Sequence, residues 1–177
     1  MSIRGACGVV FGAAILAMGS LPGRERPVVT TAGEHVEQLE SRVAAQPTDV
    51  ASRNELARAY LDAESPGLAW STLADSPAAQ RSEPAVQHME ARVLIEQGKA
   101  KEALALEEKV LATCGGDPSS PSAAPGCDFW LIVSATRRAS ILQELVHAGV
   151  QDTVAQPEAS LVAYHNATHE ARLAVAQ

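Results

Sequence analysis

Aromatic residues are scarce in this chain: two Trp, two Tyr and two Phe among 177 residues. A β-sandwich or barrel fills its pleated faces with Thr, Tyr, Phe and Ile, so the scarcity weighs against both. Basic residues are also few, 14 Lys and Arg against 21 Asp and Glu, for a net charge of −7. That balance argues against a nucleic-acid footprint. Of the three cysteines none stands in Cys-x-x-Cys spacing, which leaves no thioredoxin-type or haem-attachment motif. Missing too are a Gly-x-Ser-x-Gly elbow, a His-Glu-x-x-His pair and a phosphate-cradling glycine loop, so neither catalysis nor a cofactor is expected. What remains is a chain that is 46% hydrophobic, mostly Ala with Leu and Val. Alanine is the best helix former and loses no side-chain entropy on burial, so the expected fold is all-α.

The N-terminus reads as an export signal. Arg4 is the only charge before an apolar run from Ala6 to Met18, long enough for a signal core and short for a membrane span. Ala17-Met18-Gly19 offers small residues to a signal peptidase, which makes residues 1–19 a signal peptide and the mature protein periplasmic or secreted, with no membrane contact. The alternative is an uncleaved anchor from Gly5 to Leu21. Cleavage removes Cys7 and leaves Cys114 and Cys127, which bracket a Gly-, Pro- and Ser-rich stretch. In an oxidising compartment these two form a disulfide; the other reading is a pair of free buried thiols.

Residues 20–33 form a lead-in without apolar periodicity. Thr31 and Glu34 have capping-box spacing and open a helix from Glu34 to Ala45, stopped at Gln46-Pro47. Asp49 caps the next helix, running to about Ala63, and Ser65-Pro66 starts a third. A fourth begins at Ser82-Glu83-Pro84 and ends at Gly98. A fifth runs to residue 113, and the Cys-bracketed loop follows over 114–127. Over 128–177, Asp128 caps a long helix that ends near Ala148, and Pro157 opens the last one, with Leu161, Val162, Tyr164, Ala171 and Leu173 as its apolar residues. About seven helices result. Trp130 is expected in the core beside Phe129, whereas Trp70 fits either core or surface.

Laid on itself at a period of 34, the chain matches Ala57-Arg58-Ala59-Tyr60-Leu61 with Ala91-Arg92-Val93-Leu94-Ile95, and Ala69 with Ala103. Over about residues 50–113 this spacing resembles the tetratricopeptide repeat, with Glu64 standing where that family commonly has Gly. The resemblance implies a right-handed helical-hairpin repeat, an α-solenoid, over 34–113, capped by a C-terminal hairpin. It also places Asn54, Arg58, His88 and Arg92 on a concave groove that would hold a protein or peptide segment, an anionic or extended one if the two arginines select it. Alternatively, Arg58 and Arg92 are ordinary exposed residues paired with nearby acids. A structural or assembly helper of the cell envelope is the second functional reading. A third is a metal-binding protein using His165 and His169, four apart on the last helix, with solvated or packing histidines as the plainer account.

Overall fold

The computed structural model describes residues 32–115 and 126–175, the last of these, 169–175, by backbone alone. The expected signal at 1–19, residues 20–31 of the lead-in with the Thr31 cap, and most of the Cys-bracketed loop lie outside the described residues, while residues 32 and 33 of the lead-in open the first helix. Among the described residues there are eight helices and no strand: α1 (Ala32–Ala45), α2 (Val50–Asp62), α3 (Pro66–Ala74), α4 (Ala78–Arg81), α5 (Pro84–Glu96), α6 (Ala100–Cys114), α7 (Phe129–His147) and α8 (Pro157–Val175). The one-turn α4 is the helix that the sequence reading does not contain. It is a single turn after Pro77, too short to show any apolar period.

Local chemistry sets most boundaries. Asp49 accepts from the Ala51 N–H at 3.1 Å and starts α2, and Asp128 accepts from Leu131 N–H at 2.8 Å and starts α7. Ser65 does precede Pro66 at the head of α3, but its hydroxyl donates to the Ala63 carbonyl instead of capping. Glu83, not Ser82, is the residue before α5, with Pro84 in its first turn.

Helices pair along the chain, α2 with α3, α5 with α6, and α7 with α8, while α1 lies on α2. Each pair also touches the next: α2 and α3 pack on α5, and α5 and α6 on α7. One apolar cluster, with Ala57, Ala69, Leu73, Val86 and Val93, joins the first pair to α5. A second, with Ala91, Leu94, Ala103, Leu142, Leu145 and Ala163, joins the α5–α6 pair to α7 and α8. Ala57, Ala69, Ala91 and Ala103 have no exposed surface at all. A side chain this small lets helix axes approach until backbones nearly touch, and a larger one there would overpack the crossing.

The turns repeat as well. The Ser65 N–H bonds the Tyr60 carbonyl, Lys99 N–H bonds Leu94, and Val150 N–H bonds Leu145, at 2.8, 2.8 and 2.9 Å. Each is the long hydrogen bond of a Schellman turn, which needs a left-handed residue one position earlier. Those residues are Glu64 (φ 54°), Gly98 (φ 76°) and Gly149 (φ 75°). Gly98 is doubly required, since a Cβ there would run into the Asp152 carboxylate, whose Oδ1 is accepting from the Val154 and Ala155 N–H groups. Glu64 carries a side chain in a conformation that disfavours one, a cost of about 1–2 kcal/mol partly offset by the entropy a glycine would lose on folding. Glu64→Gly is therefore expected to stabilise the protein by about 0.5–1 kcal/mol in a urea melt. A loss of stability would show that the Glu64 side chain itself holds the turn.

One expectation about the C-terminal half is corrected. Trp130 is 75% exposed and Phe129 51% exposed, their rings meeting edge to face at 5.2 Å on the surface. The buried face of α7 runs through Ile132, Ala135, Ala139, Leu142 and Leu145, and Trp130 falls on the opposite side of that helical stripe. On α8 the inner residues are Ala163 and Ala167, so Leu161, Val162 and Tyr164 face outward.

Candidate functional site

Of the four residues expected on the groove, Arg58 lines the described cleft and Asn54, His88 and Arg92 do not. Arg58 is exposed and lines an open cleft of about 830 Å³ where α1 and α2 meet the start of α3. Apolar atoms of Val36, Ala59 and Leu68 line the cleft, and around them stand Glu37, Glu40, Glu55 and Asp62. Arg42 pairs with Glu55 at 2.9 Å, and Arg92 reaches across from α5 to Asp62 at 3.1 Å. Arg58 forms no ion pair with another described residue, so it is the lining cation left to a ligand. Tyr60 donates its hydroxyl to Glu40. That bond, with some desolvation and the negative charge of Glu40, pushes the phenol up to about 12.

Asn54 lies half-buried one turn back from Arg58, and its Oδ1 is buried without a hydrogen-bond partner. It is not among the cleft-lining residues. His88, its counterpart 34 residues on, belongs to a different assembly altogether. Glu107 of α6 is fully buried; its Oε1 accepts from Arg138 Nη1 at 2.7 Å and its Oε2 lies 2.8 Å from His88 Nδ1. The same Arg138 Nη1 donates to the His88 carbonyl at 2.8 Å, and His88 Nε2 sits 3.0 Å from Ser134 Oγ. Four side chains from α5, α6 and α7 are thus bonded across the junction of two helix pairs.

Sequence reasoning missed Glu107, Ser134 and Arg138. A signal was there: Glu107 lies 34 residues after Leu73, at the same register position, and Leu73 is also fully buried. A carboxylate in a register that calls for Leu needs a cation near it, because an unpaired buried charge is too costly to keep. The register likewise aligns buried Arg53 with Gln87. Arg53 donates to the carbonyls of Thr72 and Pro47, and Gln87 to that of Arg81, so this polar position ties each first helix to nearby backbone.

Glu90, also on α5, has its carboxyl pushed up from its ordinary value of 4.5 by burial, against the opposing pull of Arg81 and Lys109. A raised folded-state pKa means the folded protein holds the proton more tightly than the unfolded chain. Its stabilising contribution is full below pH 4.5 and is lost as pH rises through the folded value. Glu90→Gln should therefore raise the urea midpoint at pH 7 while leaving it unchanged near pH 4, as paired melts at the two pH values would show.

His165 is exposed, with its ring against Tyr164; the His169 side chain lies outside the described residues. Among the described residues no group of three or more His, Cys, Asp or Glu side chains is placed to hold a metal ion. Cys114 and Cys127 are bonded as a disulfide, with Cα atoms 5.5 Å apart, and connect the end of α6 to the start of α7. Among the described residues no helix is long and apolar enough to cross a membrane. No family model matches the chain, and neither a curated protein nor a solved structure is significantly similar to it.

Proposed function

We propose that the chain is an exported helical-hairpin repeat protein, similar in organisation to tetratricopeptide repeats, which binds an extended protein segment in the cleft around Arg58. The observation that carries the reading is the recurrence of one turn, with the same hydrogen bond and the same left-handed residue, at Glu64 and 34 residues later at Gly98. Neighbouring pairs that each bury part of the next are what a stacked repeat requires, since one hairpin alone cannot cover its apolar face. The disulfide fits an oxidising compartment and so supports export.

Within this reading Arg58 holds a backbone carbonyl or carboxylate of the segment by directed hydrogen bonds, and Val36 and Leu68 receive an apolar side chain. The acids Glu37 and Glu40 favour basic neighbours in the partner over a uniformly anionic one. Display of random peptides on the oxidised protein tests this. Selected peptides should bind Arg58→Glu at least tenfold more weakly, with circular dichroism unchanged. Equal affinity for the two proteins would remove the cleft as the binding site.

A further inference from the structure

The hydrogen-bond geometry of the buried cluster places a proton on His88 Nδ1. Arg138 Nη1 carries two hydrogens and has three acceptor atoms within reach: Glu107 Oε1 at 2.7 Å, the His88 carbonyl at 2.8 Å and His88 Nδ1 at 3.1 Å. The two nearer oxygens take both hydrogens. Nδ1 then keeps its own proton and donates it to Glu107 Oε2, 2.8 Å away. A neutral imidazole protonated on Nδ1 has its lone pair on Nε2, and 3.0 Å from that nitrogen stands the hydroxyl of Ser134. To the neutral imidazole the hydroxyl is the donor. Serine, histidine and a buried carboxylate are thereby joined in the order and tautomer that make a serine oxygen nucleophilic.

We propose that Ser134, His88 and Glu107 form an acyl-transfer site for small carboxylic esters. Ser134 Oγ attacks the ester carbon while its proton passes to His88 Nε2. The carbon–oxygen bond to the alcohol then breaks, and the departing oxygen takes the proton from Nε2, leaving an acyl-serine. Water adds to that ester with His88 again accepting a proton, and the carboxylic acid leaves as Ser134 regains its hydrogen. Glu107 holds the imidazole in its tautomer and balances the imidazolium that forms. Arg138, four residues after Ser134 on α7 and hence on the same face, supplies positive charge for the oxyanion. Ser134 and Arg138 are half-buried and the His88 side chain is 13% exposed, which limits access to small substrates.

This activity goes beyond the binding reading and runs against the expectation of a non-catalytic chain. It is tested on the full chain with its disulfide intact, using diisopropyl fluorophosphate at pH 8 and peptide mass mapping. The serine oxygen displaces fluoride from phosphorus, and His88 takes up the hydroxyl proton. The expected result is one adduct, on Ser134, forming about 100-fold faster than in the urea-unfolded chain, the size of a general-base contribution. Ser134→Ala should carry no adduct, and His88→Gln, where folded, should label as slowly as the unfolded chain. An unlabelled Ser134 in the folded protein, or labelling at the unfolded rate, overturns the proposal.

Discussion

Glu107→Ala is expected to lower the unfolding free energy by about 3–5 kcal/mol, the largest loss of any single substitution considered. The reason is asymmetry. Arg138 and the Nδ1–H of His88 both direct hydrogens at the Glu107 carboxylate, which has no exposed surface. Removing the acceptor leaves a largely buried guanidinium with one fewer partner and opens a cavity where the glutamate stem was. The pair of charges is nevertheless a poor source of net stability, since each had to leave water to meet the other. Glu107→Leu combined with Arg138→Met and His88→Leu should therefore recover most of the loss, Leu being what Leu73 supplies one period earlier. Urea melts on the parent, the single and the triple variants give the comparison. A single-variant loss under 1 kcal/mol would mean that water reaches the carboxylate and the cluster is not isolated. The triple variant also separates two properties, because it should fold and yet label at Ser134 no faster than the unfolded chain.

The second large effect belongs to the disulfide. Cys114 and Cys127 are 13 residues apart in sequence, and closing a loop of that size restricts the unfolded chain by about 3 kcal/mol in the entropic account. Cys114→Ala with Cys127→Ala should lose about that much, and the parent in excess dithiothreitol should melt like the variant. Hydrogen exchange should show the loss at the end of α6 and the start of α7 ahead of α2 and α3, since the bond joins the former pair. Matching midpoints for the parent, oxidised, and the double variant would contradict this.

How much of this was legible in the sequence differs by residue type. Alanines at Ala57, Ala69, Ala91 and Ala103 announced both the helical fold and the crossings, because a small residue at fixed spacing has few other uses in a helix. Asp49 and Asp128 marked helix starts for an equally local reason. Trp130 beside Phe129 pointed to the core and lies outside it, because its rotation about α7 depends on which side of the helix α6 occupies. The His88 cluster was invisible for a similar reason: its members come from positions 88, 107, 134 and 138, and nothing local to any of them records that three helices converge. Only the comparison of Glu107 with Leu73 across the period carried a trace.

The turns add a last point about chain connectivity. The Schellman turn of Glu64 recurs 34 positions later, at Gly98, but the third of these turns, at Gly149, comes 51 positions after that. Of the 17 extra residues six lie in α6, six in α7 and five in the segment between them, whose bonded cysteines hold their Cα atoms only 5.5 Å apart. To the helices on either side, that segment is bypassed by a covalent shortcut as short as a tight turn. A protease that cut it would leave one molecule with α6 and α7 still joined, and an added peptide sequence there would lengthen the appendage without moving the helices apart.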